Sequence, residues 1–251
     1  MRFEGKVLFA TGGGSGLAAA TARRYSAEGG RVAVVDLDRA RAEAVAAELD
    51  GAVAIACDVA DEDSVRSAVA TAVDRLGRID SVFNAAGHVV FGPFETYPLA
   101  EWNRTLAVHV TGTFLVCQNA LPALREAGGG AIVNVASVAA LVGRSQLGAY
   151  SAAKGAILAF SRQLAVDLGP DNIRVNVVAP GSVRTAMTEP VWALRGGGDL
   201  EKGAAITGQE AILRRVGEAD EIASTVCFLL SDDASFFTAS LLVPDGGMTA
   251  I

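Results

Sequence analysis

The stretch KVLFATGGGSGLAAATA, residues 6–22, runs from an apolar segment through four glycines in five positions into an alanine-rich segment. The first six residues read as a buried strand and the last six as the start of a helix, so the glycines occupy a strand–turn–helix corner. A turn without side chains lets its backbone approach a pyrophosphate, which the amide dipoles at the helix start attract. The spacing is Gly12-x-x-x-Gly16-x-Ala18, with Gly14 and Ser15 inside the turn and Leu17 beginning the helix. Ala18 stands where a third glycine would let helix and strand pack closely, and a methyl group is the smallest departure possible.

Outward from that corner the alternation repeats. The runs RVAVVD (31–36), AVAIACD (52–58), SVFNAAG (81–87), AIVNVAS (131–137), IRVNVVAP (173–180) and LLVPDGG (241–247) are apolar with little alternation, as strands covered on both faces are. Between them, segments such as RARAEAVAAELD and SVRSAVATAVDRLG carry apolar residues at helical spacing. Strand and helix in repeated succession predict an α/β fold of parallel strands joined by right-handed crossovers. No linker-like break divides the chain, so residues 1–251 read as one domain. Its irregular part is residues 187–209, where RGGGDLEKG supplies glycines suited to the hinges of a substrate loop.

The second run ends in RVAVVDLD, which sets Asp36 twenty residues after Gly16. A carboxylate there accepts hydrogen bonds from both hydroxyls of an adenosine ribose and repels a 2′-phosphate. Ser15 and Leu37 provide no cation to reverse that repulsion, and Arg39 and Arg41 read as a solvated helix face. NAD is therefore expected over NADP. Asp58, closing the third run, either caps the next helix or reaches the adenine amine.

Composition narrows the partners. Half the residues are hydrophobic, with 28 glycines and seven prolines, which suits a large core with tight turns. A formal charge of −7 without like-charge blocks argues against nucleic acid or an anionic membrane. The start, MRFEGKVLFATGGG, has too short an apolar run for a secretory signal. The uncharged stretch from Thr105 to Leu124 contains His, Gln, Asn and Pro, and reads as a buried helix and not a membrane span. Cys57, Cys117 and Cys227 lie far apart without disulfide or metal-ligand spacing, so they are expected as core thiols in a reducing cytoplasm, with no metal centre.

One further stretch carries chemistry. In LGAYSAAKGA (147–156) every residue except Tyr150 and Lys154 is small or apolar. Four residues apart on a helix, the phenol and the amine share one face. The pair is either two long side chains on one edge of an alanine-rich helix or a reactive pair with room beside it for a ligand.

The motifs TGGGSGLA (11–18), CDV (57–59), NAAG (84–87), NVASVA (134–139), YSAAK (150–154), APGSVRT (179–185) and PDGG (244–247) stand in this order, with Ser137 thirteen residues before Tyr150. In that set and order the chain resembles the short-chain dehydrogenases/reductases, in their single-domain form, along nearly its whole length. The resemblance implies a Rossmann-like, doubly wound, mostly parallel seven-stranded sheet of order 3-2-1-4-5-6-7 with helices on both faces. It implies an NAD-dependent oxidoreductase interconverting a secondary alcohol and a ketone, with Ser137 binding the substrate oxygen, Tyr150 exchanging the proton as general acid/base and Lys154 reaching the nicotinamide ribose. A phenol, ordinarily titrating near 10, serves as that base only where nearby cations favour phenolate, and the Lys154 ammonium and a positive nicotinamide ring are expected to do so. Gly12, Gly14, Ser15, Gly16, Leu17, Asp36, Leu37, Asp58 and Val59 would hold the adenosine half, with Asn84, Ala85, Ala86 and Gly87 beside it. Pro180, Gly181, Val183 and Thr185 would lie by the nicotinamide.

The pattern breaks once. Where such chains carry a fourth catalytic residue, an asparagine in V-N-x-x-G, this one reads AVHVTGTF and places His109. The imidazole either satisfies the same helix kink through one ring nitrogen or joins the proton relay. His88, Arg144, Gln146 and Trp192 are expected toward the substrate, with Leu194 adding apolar lining. The resemblance further implies a homotetramer, with a dimer second, paired through the helix spanning 99–127, the helix carrying YSAAK and the apolar C-terminal segment. Two other readings stay open: an NADPH-dependent 3-oxoacyl-carrier-protein reductase, and a dinucleotide-binding sensor or scaffold without catalysis.

Overall fold

The computed structural model describes residues 1–250. Seven strands form one sheet: β1 (Val7–Thr11), β2 (Arg31–Asp36), β3 (Val53–Ala56), β4 (Ser81–Asn84), β5 (Gly130–Val135), β6 (Ile173–Val178) and β7 (Leu241–Leu242). Their order is β3-β2-β1-β4-β5-β6-β7, and every neighbouring pair is parallel. The order expected from the motifs is the one observed, and the sheet is parallel throughout.

The lack of alternation in the strands has its reason in the packing. Val7 and Phe9 enter a core on one face, with Ala33, Val35 and Ile132. Leu8 and Ala10 enter the core on the other, with Val32, Val34 and Val133. The first core is covered by α3 (Glu62–Leu76), α5 (Gly112–Glu126) and α6 (Gly148–Leu168), the second by α1 (Gly16–Ala27), α2 (Arg39–Ala46) and α9 (Ala219–Leu230). Cys57, Cys117 and Cys227 are buried free thiols in these cores. No helix among the described residues is long and apolar enough to cross a membrane.

Two regions differ from expectation. The helix predicted over 99–127 divides into α4 (Leu99–Leu106) and α5, joined by a π-turn over Ala107–Thr111 that contains His109. Residues 187–209 form a hairpin of α7 (Glu189–Arg195) and α8 (Leu200–Gly208) instead of an irregular loop. Asp199 caps α8 by accepting from the Lys202 N–H. Gly196 and Gly203 are close-packing positions and not hinges: a Cβ on Gly203 would collide with the Trp192 carbonyl, and one on Gly196 with that of Asp199. Gly197 and Gly198, both at positive φ, turn the chain between the helices.

Candidate active site

Strands β1 and β4 are neighbours whose following connections leave toward opposite edges of the sheet, so a crevice opens beyond their C-terminal ends. Thr11 ties the two sides together: its hydroxyl oxygen accepts from the backbone N–H groups of Ala85 and Ala86 at 3.2 and 3.3 Å. Gly12 adopts φ +69°, and a Cβ there would press on the Ala86 backbone at 3.0 Å, so this position is closed to side chains. Ser15 is the N-cap of α1 but makes no side-chain cap bond, leaving the helix-start N–H groups directed at the crevice.

That crevice, about 510 Å³, is lined by Gly12, Ser15, Gly16, Leu17, Asp36, Leu37, Asp58, Val59, Ala85, Ala86, Gly87, His88 and Thr185. A smaller cleft of about 80 Å³ shares Leu17, Thr185 and Met187 with it and adds Ser137, Tyr150, Pro180, Gly181 and Val183. Apart from Gly14 and Asn84, the expected adenosine and nicotinamide residues therefore line two clefts that meet at Leu17, Thr185 and Met187 to form one channel. Asp36 is anchored by backbone donors: Oδ2 accepts from Gly14 and Oδ1 from Asp38, both at 2.9 Å. Gly14 thus acts from behind the turn, bracing the carboxylate.

Several placements correct the sequence reading. Asp58 does not cap α3. Asp61 does, accepting from the Ser64 N–H at 2.7 Å, while Asp58 accepts from Ala60 at 2.9 Å at the edge of the crevice. Asn84 is not a crevice residue: its amide donates to Asn134 at 2.9 Å, and Asn134 donates to Ser161, a buried chain linking β4, β5 and α6. Trp192 is 2% exposed and packs with Ala204 and Val216 in the hairpin's own core, beneath the Arg184 guanidinium, so it does not line the cleft. Its size fills the gap between two short helices, with Leu200 packed alongside. Leu194, conversely, is exposed. Arg41 is solvated as expected, but it also borders the crevice, paired with Asp38 at 3.2 Å.

Helix α6 carries Tyr150 and Lys154 one turn apart, and its small residues Ala149 and Ala153 are buried. Lys154 is 4% exposed; its Nζ donates to the Val135 carbonyl at 2.7 Å and lies 5.4 Å from the Tyr150 ring centroid. Burial pushes the Lys154 amine down to about 7. Burial also raises the Tyr150 phenol, and the nearby Ser137 hydroxyl opposes that rise. The expected depression of the phenol is thus not a property of the protein groups alone, because Lys154 is itself desolvated. Ser137 ends β5, where its Oγ accepts from Ala139 N–H at 3.2 Å and keeps its own proton to donate.

His109 clamps a loop. Its Nε2 lies 2.8 Å from the His88 carbonyl oxygen and 3.2 Å from the His88 N–H. The shorter contact puts the proton on Nε2, donating to that carbonyl, and leaves Nδ1 as a buried lone pair without a partner among the described residues. Gly87 is required beneath it, since a Cβ there would collide with the imidazole. The ring meets the Tyr150 ring edge-on, with centroids 5.5 Å apart. Burial, reinforced by Lys154, pushes His109 down to about 3, so the imidazole is neutral across the physiological range. Of the two roles considered, the structure matches one ring nitrogen satisfying backbone. The backbone it satisfies, however, is the turn after β4 and not its own helix, whose His109 carbonyl instead accepts from the Thr113 hydroxyl at 2.7 Å.

Three features escaped the sequence reading. Phe94, Tyr97, Leu99 and Trp102 join Arg144 and Gln146 around an adjoining cleft of about 380 Å³. Gln146 has φ +62° and its carbonyl accepts from the Gly92 N–H at 3.1 Å, tying that aromatic segment to the loop before Tyr150. Arg144 pairs with Glu210 at 3.0 Å, across 66 residues of sequence. The aromatic cluster in FGPFETYPLAEW was visible as composition, whereas nothing local marks Glu210.

Comparison with known proteins agrees with this geometry. Residues 12–249 match a family model described as enoyl-(acyl carrier protein) reductase. The chain is 42% identical to a D-threitol dehydrogenase of Mycolicibacterium smegmatis, over 99% of this chain and 94% of that one. It is 39% identical to a trans-4-hydroxycyclohexanecarboxylate dehydrogenase of Sinomonas cyclohexanicum, over 99% and 95% of the two chains. The crystal structure of an NAD⁺-bound xylitol dehydrogenase superposes with a TM-score of 0.92 at 35% identity, covering 98% of this chain and 100% of the other. With its sheet order, glycine turn and Ser137–Tyr150–Lys154 arrangement, the chain belongs to the short-chain dehydrogenase/reductase family.

Proposed function

We propose that this protein is an NAD-dependent dehydrogenase that interconverts a secondary alcohol and its ketone. The observation that carries the reading is the single channel running from Asp36 past the glycine turn to Ser137 and Tyr150. Its adenosine end fits NAD: a carboxylate braced by two backbone N–H groups suits a ribose diol, and the uncapped start of α1 suits a pyrophosphate. When bound, the oxidised cofactor supplies the hydride acceptor and a positive ring.

The protein's residues do the rest. Ser137 Oγ donates to the substrate oxygen and holds it against the Tyr150 hydroxyl. Tyr150 Oη takes the alcohol proton on oxidation and returns it on reduction. Lys154 spends one of its three donors on Val135 and keeps two for the ribose side of the channel. His109 and Gly87 fix the turn that borders both cofactor and catalytic tyrosine. The α7–α8 hairpin covers the substrate side, with Met187 at its base touching both clefts. Three buried thiols suit a reducing compartment such as the cytoplasm. Exposed Phe114 and Val166 on α5 and α6, and fully exposed Phe236 near the C-terminus, suit the homotetramer expected for such chains.

The family model's printed description favours a second reading, an acyl-carrier-protein reductase using NADPH. Asp36 and the net charge of −7 weigh against it, since that activity needs a 2′-phosphate site and a basic docking face. Absorbance at 340 nm with NAD or NADP and a panel of secondary alcohols, including tetritols and cyclohexanols, tests both. The expected outcome is turnover with NAD at least 100-fold more efficient than with NADP, and an Asp36→Ala variant that narrows the gap to under tenfold. Equal use of NADP by the parent, or no turnover of any alcohol or ketone, overturns the proposal.

A further inference from the structure

At the rim of the cleft of about 380 Å³, where Arg144 stands with Gln146 and Ala149 just before Tyr150, lies a three-membered charge cluster. Arg144 lies in the loop leading into α6, six residues before Tyr150. Its Nη1 donates to Glu210 Oε2 at 3.0 Å, and Arg195, from the end of α7, donates through Nη2 to Glu210 Oε1 at 2.5 Å. Arg195 also donates to the Thr207 hydroxyl at 2.9 Å, which fixes its direction. Each carboxylate oxygen of Glu210 therefore serves a different arginine. The next residue, Ala211, belongs to a small apolar cluster with Met248 and Val138, the neighbour of Ser137. All three side chains are only about one-third exposed, with 30%, 32% and 39% for Arg144, Glu210 and Arg195.

An arginine at that rim would by itself attract a carboxylate-bearing alcohol, since its fork matches a carboxylate in geometry and charge. Here the fork is already engaged by an internal carboxylate. Among the described residues, no second acceptor engages Arg144, so Nε and Nη2 keep N–H groups to offer. They offer them from an ion pair, whose attraction for an anion is offset by Glu210 at close range. Glu210 in turn presents acceptor lone pairs beside them. A donor and an acceptor side by side match a second hydroxyl or carbonyl of a neutral molecule, whereas a substrate carboxylate would meet Glu210 as a like charge.

Resting on the alcohol-dehydrogenase reading above, we propose that Glu210 is a specificity-determining residue: by occupying Arg144 it turns the substrate rim toward neutral, multiply oxygenated alcohols such as diols and hydroxyketones, and against hydroxy acids. Glu210 acts through Arg144 and is a positioning residue, not a catalytic one.

The test compares 4-hydroxycyclohexanecarboxylate with its methyl ester as substrates for the parent, Glu210→Gln and Glu210→Asp. The glutamine keeps the shape and removes the charge, and the aspartate keeps the charge. The parent and Glu210→Asp are expected to favour the ester, by tenfold or more in kcat/KM. In Glu210→Gln that preference reverses, through a fall in KM for the carboxylate with kcat and the ester's KM changed less than threefold. Binding of cyclohexanecarboxylate and cyclohexanecarboxamide to the NADH complex reads the same selectivity without turnover, so it stands even if the alcohol chemistry is misassigned. A parent that oxidises neither compound, nor any other alcohol, sinks the function and leaves the binding arm to judge Glu210. An unchanged carboxylate-to-amide ratio in Glu210→Gln, or a parallel loss for both ligands, overturns the proposal.

Discussion

The turn at residues 11–17 and the hairpin at residues 189–208 are both rich in glycine, and they use it for opposite purposes. In the turn, Gly12 and Gly16 hold positive φ: Gly12 lets the turn close on the Ala86 backbone, and Gly16 keeps the backbone bare where it borders the crevice. In the hairpin, Gly196 and Gly203 let α7 and α8 close on each other around Trp192, so the missing side chains face the interior. The first arrangement is decided by a dozen consecutive residues, the second by residues that meet only after folding. The contrast also separates a floor, built on strand ends and the catalytic helix, from the hairpin, the proposed cover, which has a small core of its own.

The division can be broken most forcefully at the floor. Tyr150→Phe is expected to lower kcat by about 10³-fold, within the range for loss of a general acid/base, while the NADH dissociation constant stays within threefold. If fluorescence titration shows cofactor binding lost together with turnover, floor and chemistry are not separable as described. A smaller effect is expected at the cover. Trp192→Ala should cost about 3 kcal/mol, in line with emptying a buried aromatic site, and the damage should stay local. Limited proteolysis would then cut within residues 189–208 while NADH still binds and KM for the alcohol rises. Cooperative unfolding of the whole chain at a much lower Tm would show that the hairpin is not an independent unit.

The smallest effect at neutral pH is expected from His109→Asn. Unfolded, the imidazole takes its proton near 6.5; folded, it resists until about 3. Between those values the unfolded chain binds more protons, so His109 makes stability fall as pH falls, by about 1.4 kcal/mol per pH unit at full slope. Urea titrations from pH 7 to 4 should show a shallower decline for the variant. Because the folded imidazole stays neutral, the pH dependence of kcat/KM between 5 and 8 should overlay that of the parent. A new break in that profile would return His109 to the proton path.

The floor was legible in the sequence because its signals are local. A strand that fails to alternate, a glycine corner and a carboxylate twenty residues on each report one backbone feature, and the sheet order, the channel and the placement of Ser137, Tyr150 and Lys154 agree with them. What misled were large or polar side chains whose surroundings are set at a distance. Trp192 looked like a pocket wall, and only the packing of Ala204 and Val216 shows it to be interior. Asn84 was expected beside the cofactor, yet its amide N–H group donates to Asn134, 50 residues further along, which in turn donates to Ser161. Asp58 was one candidate cap for α3, but the cap is Asp61, three residues further along the backbone. Arg144 was expected toward the substrate, and its partner Glu210, 66 positions away, left no local mark in the sequence.

The imidazole seated on Gly87 has a bearing on how such a site can diverge. Any methyl group acquired at 87 is blocked while the five-membered ring remains at 109, and any replacement at 109 without a donor that reaches it frees the His88 carbonyl from its anchor. The two positions therefore form a ratchet: drift at one is silent only after drift at the other. An engineer transplanting the stretch after β4 between relatives has to carry the matching piece of the π-turn with it.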